Sequence, residues 1–265
     1  FTDAGCDKWK TGCGNCVDIK KWNSSWFFDR SRSNLIDKEK LFNAIPKVAV
    51  IGVSDWVTDF IKDSILKNSF IIRRIYNWVD LSKFFPHPTN VRNKFDIIQD
   101  FVVLGVAQNW TLSKGIEDIK ITAMHRPNYK FLLVGNVDNQ FLPLPHNIIM
   151  VGVSSSITEL ADYYACADAF INLSIRETFG KVTIEALASG TPVVAYNLSA
   201  TPELVRKECG FICEYKDYDS IIQGLDFIHD KGKDFYSNAC IRFTASNFDK
   251  HKLMDDYIQL YKELQ

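Results

Sequence analysis

The chain has 265 residues, of which 46% are apolar and 24% are charged. This composition excludes disordered, collagen-like and coiled-coil proteins, and the length fits one large domain or two small ones. A formal net charge of −1 argues against general nucleic-acid binding. Residues 1–100 contain 16 Lys and Arg against 12 Asp and Glu, an excess that fits an anionic ligand, a membrane surface or ordinary variation.

The first 35 residues show no hydrophobic period, so we predict an irregular region. Three cysteines, Cys6, Cys13 and Cys16, have the spacing C-x6-C-x2-C. Ordinary reduced thiols, a disulfide and part of a zinc site are all compatible with this spacing. A structural zinc site needs four ligands, and no His lies nearby in the sequence. We therefore predict no metal and keep these three cysteines as zinc candidates.

Regular structure is predicted to begin with a buried strand over residues 47–53. A helix capped by Ser54 follows over residues 55–68, and a second strand over residues 71–76. The proline-containing stretch over residues 78–98 is the best candidate for a linker.

Strands and helices then alternate to the end of the chain. We predict strands over residues 101–106, 130–135, 147–152, 168–173, 192–196 and 210–214, with helices over residues 115–125, 157–167 and 178–189 and beyond residue 214. This alternation predicts an α/β fold with a parallel sheet covered on both faces. Ligands bind such sheets outside the carboxyl ends of the strands.

The cellular location is predicted from cysteines and hydropathy. Seven cysteines are too few for a disulfide scaffold, and the odd number fits a reducing compartment. No apolar run approaches the ~18–20 residues that span a bilayer, and the beginning of the sequence does not resemble a signal peptide. We predict a cytoplasmic protein. The basic stretches Lys20–Lys21 and Arg30–Arg32 are predicted as solvated surface, with an acceptor role or peripheral association with the inner face of the membrane as alternatives.

Glu177 and Glu185 flank a predicted strand-to-helix junction and are separated by seven residues. On one continuous helix, eight steps correspond to a rise of ~12 Å and a rotation of ~80°, so both carboxylates could address one elongated ligand. Gly180 allows close backbone approach, and the helix start between the acids suits a pyrophosphate. Carboxylates accept hydrogen bonds from vicinal hydroxyls. This layout predicts binding of a sugar–diphosphate–nucleoside.

The same segment resembles the E-x7-E motif of retaining glycosyltransferases of family 4 (group 1), which have the GT-B fold. Residues 76–86 resemble the family's interdomain segment, residues 105–115 its first phosphate-binding loop, and residues 189–194 the stretch after the second Glu. The resemblance covers about residues 45–265. Residues 5–16 also resemble bacterial polysaccharide-assembly members. Trp78 replaces the family's usual Gly.

The resemblance implies a complete C-terminal Rossmann-like domain with a parallel sheet and a partial N-terminal one, because the sequence begins without Met and matches only the last part of the first domain. The implied boundaries are residues 1–77 for the acceptor-side part, 78–98 for the linker, 99–248 for the donor-binding domain, and 249–265 for a helix packing back toward the first domain. It also implies Glu177 as the catalytic residue that meets the donor sugar, and Glu185 as the ribose ligand. The other implied donor-binding residues are Lys114, Gln108, Asn109, Thr178, Phe179, Gly180, Lys181 and Val182. Gln108 and Asn109 fall where the family usually places an Arg.

The implied reaction transfers a sugar from a UDP- or GDP-sugar to a glycan or lipid-linked acceptor with retention of configuration. Members of the family generally need no metal cofactor, because the helix dipole and a Lys replace the cation. The partners are then the nucleotide-sugar donor and the acceptor, without nucleic acid. A catalytically silent nucleotide-sugar-binding fragment and a nucleotide-sugar epimerase of the same fold remain alternatives.

Overall fold

A computed structural model describes residues 6–16 and 27–265. The chain divides into two compact units: the described residues up to Tyr76 together with Asp256–Gln265, and the segment Asn77–Asp255. Within the described ranges, every helix is too short or too polar to cross a lipid bilayer. The domain boundaries implied by the family resemblance stay predictions.

The first unit contains a small parallel sheet. A 3-10 turn over Lys8–Thr11 precedes helix α1 (Ser31–Asn43), strand β1 (Ala49–Gly52), helix α2 (Asp55–Asp63) and strand β2 (Ile71–Arg74). β1 pairs with β2 in parallel. The predicted cap is confirmed, because the hydroxyl oxygen of Ser54 accepts a hydrogen bond of 3.1 Å from the backbone N–H of Val57.

The prediction of irregular structure through residue 35 is wrong from Ser31 onward. The side chains of α1 are half-buried or exposed, and the helix buries none of them fully. Without a buried face, the helix has no apolar period for sequence analysis to detect.

The second unit contains the larger sheet. Its elements, in chain order, are α3 (Val91–Lys94), β3 (Phe101–Trp110), α4 (Ile116–His125), β4 (Tyr129–Val137), β5 (Ile148–Gly152), α5 (Ile157–Cys166), β6 (Ala169–Asn172), α6 (Lys181–Ala188), β7 (Val193–Tyr196), β8 (Gly210–Cys213), α7 (Tyr218–Lys231), α8 (Lys233–Phe248) and α9 (Lys250–Leu264), the last of which extends into the first unit. The six strands run in the order β5-β4-β3-β6-β7-β8, and every pairing is parallel. The predicted α/β class is confirmed.

The strand order reverses between β3 and β6. The chain builds β3, β4 and β5 outward on one side, then returns to place β6 beside β3 and continues outward through β7 and β8. All residues of β6 and β7 are buried, so these strands are covered on both faces. In parallel sheets of this kind, ligands bind outside the carboxyl ends of the strands at the point where the order reverses, which here is between β3 and β6.

Candidate functional site

Lys114 and Glu177 meet at the point where the strand order reverses. Lys114 ends a 3-10 turn in the loop after β3, and Glu177 lies in the loop after β6. The Nζ atom of Lys114 lies 2.5 Å from Oε1 of Glu177. The Glu177 side chain keeps only 14% of its exposure, against 37% for Lys114. The structure thus joins two residues that the sequence analysis selected separately.

Backbone contacts fix these two loops against each other. The backbone N–H of Ile175 donates to the carbonyl oxygen of Ser113 at 2.9 Å. Gly115 has a φ of +76°, and a Cβ on it would lie 2.4 Å from the carbonyl oxygen of Leu173. Only glycine fits both this conformation and this close approach. The position of Lys114 therefore depends on the glycine that follows it.

A third loop holds the backbone of Glu177. The N–H of Glu177 donates to the hydroxyl oxygen of Ser199 at 2.8 Å, and its carbonyl oxygen accepts from the N–H of Ala200 at 3.3 Å. Both partners follow β7, and Ser199 adopts a positive φ of 52°. Sequence reasoning missed Ser199, because a single Ser in a loop carries no pattern. The loops after three adjacent strands therefore converge on Glu177.

The helix predicted over residues 178–189 begins later than expected. α6 starts at Lys181, because Gly180 has a φ of +97° and the chain before it cannot continue the helix. Glu177 thus lies outside the helix, so the rise and rotation calculated for two glutamates on one helix do not apply. The backbone N–H groups of the first turn, from Lys181 and Val182 onward, form the positive end of α6.

The segment between Glu177 and α6 has mixed exposure. Thr178 is exposed, whereas Phe179 retains 1% of its exposure and packs edge to face on Phe248, with ring centroids 5.8 Å apart. The side chain of Phe179 therefore belongs to the core, and any contact of this residue with a ligand would use its backbone.

A buried amide ties the start of α6 to the end of β6. The side-chain N–H of Asn172 donates to the hydroxyl oxygen of Thr183 at 3.0 Å, and its oxygen accepts from the backbone N–H of Ser174 at 3.2 Å. Sequence analysis did not single out Asn172, because it read as one residue of an apolar strand.

Glu185 lies on α6, one helical turn beyond Lys181. Its Oε2 atom accepts a hydrogen bond of 3.0 Å from the hydroxyl of Tyr164, which is fully buried. Burial raises the pKa of Glu185 from 4.5 to about 7, while the Tyr164 hydroxyl and the charge of Lys181 oppose this shift. Burial and the neighbouring Glu185 raise the pKa of Tyr164 well above its ordinary value. The partner that a buried Glu requires is therefore Tyr164.

Gln108 and Asn109 lie near the end of β3 and are exposed. The oxygen of the Asn109 amide accepts from Asn136 on β4 at 3.4 Å. Among the described residues, no hydrogen bond connects Gln108 or Asn109 with Lys114 or Glu177. The structure therefore does not bring these two amides into direct contact with the Lys114–Glu177 pair.

The three zinc candidates, Cys6, Cys13 and Cys16, are half-buried. Within residues 6–16 and 27–265, no group of three His, Cys, Asp or Glu side chains could hold a metal ion. The zinc assignment of these cysteines stays a prediction. Arg30 and Arg32 are exposed, and Lys20–Lys21 lies outside the described residues.

Charged groups at the opposite, amino edge of the large sheet serve the fold. A cavity of about 480 Å³ lies there, between the linker segment and the start of α8. Arg92 donates to the carboxylate of Asp168 at 2.7 Å and to the carbonyl oxygen of Cys166 at 2.9 Å. Lys233 donates to the carbonyl oxygen of Ala165 at 2.8 Å, and burial lowers its pKa to about 8.

A family model described as "Glycosyl transferases group 1" matches residues 106–230. An uncharacterized glycosyltransferase of Methanocaldococcus jannaschii is 26% identical over 211 residues, which cover 72% of this chain and 54% of that protein. N-acetyl-alpha-D-glucosaminyl L-malate synthase of Bacillus anthracis is 24% identical over 73% of this chain and 54% of its own length. A capsular polysaccharide biosynthesis glycosyltransferase, CapM of Staphylococcus aureus, is 26% identical over 57% of this chain and 43% of its own length. The chain spans about half the length of the curated relatives that it matches.

Solved structures share the fold. Sucrose-phosphate synthase from Thermosynechococcus elongatus superposes with a TM-score of 0.74 at 21% identity, covering 90% of this chain and 64% of that one. Anabaena HepE in complex with UDP gives a TM-score of 0.74 at 20% identity, covering 89% of this chain and 69% of that one. These likenesses establish the predicted GT-B type of fold and, at such low identity, nothing beyond the fold.

Proposed function

We propose that this chain carries the donor-binding part of a retaining glycosyltransferase. The premise is the similarity to the group 1 glycosyltransferase family that the comparisons support. The donor is a nucleoside-diphosphate sugar, with UDP- and GDP-sugars as the classes to test. The acceptor of the whole protein is a glycan or a lipid-linked sugar, which agrees with the capsular polysaccharide function in the name of CapM.

The observation that carries this proposal is the contact between Lys114 and Glu177 at the point where the strand order of the large sheet reverses. The ammonium of Lys114 and the start of α6 offer positive charge to a diphosphate. The carboxylate of Glu177 can accept hydrogen bonds from sugar hydroxyls, and that of Glu185 from the ribose. These groups would therefore contact three successive parts of the donor: the sugar, the diphosphate and the nucleoside.

The contact also suggests how the donor is received. Glu177 and Lys114 neutralise each other within 2.5 Å. A diphosphate would share the ammonium with Glu177, whose second oxygen would be open to the sugar. One ion pair would then contact both the sugar and the diphosphate.

In the proposed reaction, the bond between the anomeric carbon and the diphosphate oxygen breaks. The acceptor hydroxyl oxygen forms a new bond to that carbon on the same face, and its proton passes to the leaving diphosphate. Lys114 and the positive end of α6 would stabilise the charge on the leaving group. Glu177 would hold the sugar and would not act as the base.

Two kinds of measurement test this function. We expect calorimetry to detect binding of UDP or GDP by the chain, and product analysis of UDP- and GDP-sugars to detect slow donor hydrolysis by the whole protein. Above about pH 7, where Glu185 is ionised, Glu185→Ala should weaken nucleotide binding by tenfold or more, because hydrogen bonds to a charged carboxylate are worth about 1.5–3 kcal/mol each. A wild-type chain that binds neither nucleotide would refute the donor-site assignment.

The same assays separate the alternatives. Conversion of the donor sugar into its epimer would identify an epimerase. Nucleotide binding without hydrolysis or transfer by the whole protein would identify a silent binding module.

A further inference from the structure

The indole of Trp78 lies beneath two lysine side chains. The Nζ atom of Lys250 is 4.7 Å from the ring centroid, and that of Lys181 is 5.3 Å from it. Both lysines are exposed, and Trp78 is half-buried. In the part of the chain that the structure describes, neither lysine forms an ion pair with a carboxylate. The ring of Trp78 thus forms cation–π contacts with two ammonium groups.

The backbone of the second unit brings the beginning of the linker segment next to the start of α9. Val79 forms a parallel bridge with Asp249, and its N–H donates to the carbonyl oxygen of Phe248 at 3.0 Å. Phe248 in turn packs on Phe179, two residues before Lys181. The convergence of the tryptophan and the two lysines therefore rests on buried and hydrogen-bonded neighbours.

Each lysine occupies the first residue of a helix, α6 for Lys181 and α9 for Lys250. The start of α6 has no side-chain cap, and a cation such as Lys181 is disfavoured at this positive helix end. Two cations near one ring also repel each other. The face of an aromatic ring offsets only part of this repulsion. An anion bound beside both lysines would relieve it.

The carboxylates near the two lysines have other hydrogen-bond partners. The Oδ1 atom of Asp249, which precedes Lys250, accepts from the backbone N–H groups of His251 and Lys252 at 3.0 and 3.1 Å and caps the start of α9. Asp80 is close enough to Lys250 to feel its charge, but its Oδ1 atom accepts from the N–H and the hydroxyl of Ser82, at 3.0 and 2.6 Å. Glu185, one turn beyond Lys181, is close enough for the charge of that lysine to act on its pKa, but its Oε2 atom accepts from the buried hydroxyl of Tyr164.

The two lysines also complement the Lys114–Glu177 pair. Because Glu177 offsets the positive charge of Lys114, Lys114 alone does not neutralise the two negative charges of a diphosphate ligand. Lys181 belongs to the helix start at which the proposed function places the diphosphate.

We propose that Lys181 and Lys250, gathered by Trp78, form a second cationic group that binds the donor's diphosphate. Trp78 acts as a positioning residue for the two ammonium groups. The inference rests on the proposed function and adds to it a specific source of positive charge.

The test compares nucleoside diphosphates with nucleosides. UDP and GDP, and uridine and guanosine, are titrated by calorimetry into the wild-type chain and into Lys181→Ala, Lys250→Ala, Trp78→Ala and Trp78→Phe. We expect each lysine variant to bind the diphosphate about tenfold more weakly, since one charge-assisted contact is lost. Binding of the nucleoside should stay within twofold of the wild type. Trp78→Phe should restore most of the affinity that Trp78→Ala loses.

The salt dependence separates a charge effect from a structural one. In each lysine variant, the affinity for the diphosphate should fall less steeply as the salt concentration rises, because one charge that salt would screen has been removed. Lys231→Ala is the matched control, because Lys231 also lies over aromatic rings, at 5.8 Å from the centroids of Phe227 and Phe235, but belongs to the amino edge of the sheet. It should bind like the wild type.

Each outcome has one meaning. If the wild type binds UDP or GDP and both lysine variants bind it equally well, the inference is overturned and the proposed function stays intact. Equal losses for nucleoside and diphosphate also overturn it, because they indicate a purely structural cluster. A wild-type chain that binds neither nucleotide refutes the proposed function and this inference together.

Discussion

The pH dependence of folding tests whether Glu185 lies in the desolvated environment that the structure gives it. Burial among apolar groups raises its pKa from 4.5 to about 7. A carboxyl group with a higher pKa in the folded state holds its proton there after the unfolded chain has lost it. Stability should therefore fall as pH rises from about 4.5 and level off above about 7, a loss of about 3 kcal/mol in all.

The measurement is urea unfolding of the wild type and of Glu185→Gln between about pH 5 and pH 8, followed by circular dichroism. Gln keeps the shape of the side chain but does not titrate, so other ionisable groups cancel in the difference. We expect the wild type to lose about 2–3 kcal/mol of unfolding free energy relative to the variant across this range. A difference that stays constant with pH would refute the assigned environment.

Glu159 is a suitable control, because its pKa is shifted in the direction opposite to that of Glu185. Hydrogen bonds from the backbone and hydroxyl of Ser155, with help from Tyr163, lower its pKa to about 2. Its contribution is present above the ordinary pKa of a Glu and is lost only as pH falls through the acid range. Glu159→Gln should therefore leave the profile between about pH 5 and pH 8 unchanged.

Four further changes test the site. Gly115→Ala should destabilise the chain by more than about 2 kcal/mol, because it adds strain at positive φ and a clash with a backbone oxygen, whereas Gly152→Ala, with a φ of +73° and nothing near the new Cβ, should show the strain alone in the same urea unfolding assay. Glu177→Ala should lower sugar transfer or donor hydrolysis at least about a hundredfold while UDP or GDP binding changes little, and equal losses in the two assays would show that its role is misassigned. Lys114→Ala should weaken diphosphate binding measured by calorimetry but not nucleoside binding, and an equal effect on both would remove its phosphate role. Tyr164→Phe should destabilise the chain by about 1–2 kcal/mol in urea unfolding, because the carboxylate of Glu185 loses its only hydroxyl partner among the described residues. An unchanged stability would indicate that this carboxylate is in contact with water.

The sequence predicted the sheet well because its four central strands, β4, β3, β6 and β7, are largely buried on both faces. Continuous apolar runs, such as those of β3 and β4, mark strands of this kind, and turns separate them clearly. The two residues of the central ion pair could also be selected, since parallel strands bring their following loops to one edge. Their direct contact could not be predicted, because it depends on how the 3-10 turn ending at Lys114 aims the side chain.

The remaining features depend on tertiary contacts that no local pattern encodes. The start of α6 is displaced from residue 178 to Lys181 by the left-handed conformation of Gly180, which a glycine permits but does not require. Tyr164 lies 21 residues from Glu185, and Ser199 lies 22 residues from Glu177. Such partners become visible only when the strands have been placed side by side.

The reversal of strand order has a consequence for folding kinetics. Lys114 and Glu177 are 63 residues apart in sequence, because the chain completes β4, β5 and α5 before β6 docks beside β3. Closing a contact over such a span costs chain entropy, so we expect the pair to form late, after β4 and β5 have docked beside β3. A nucleotide that needs both side chains would then bind no early intermediate. It should slow unfolding while leaving the refolding rate nearly unchanged, in the manner of an interaction absent from the transition state.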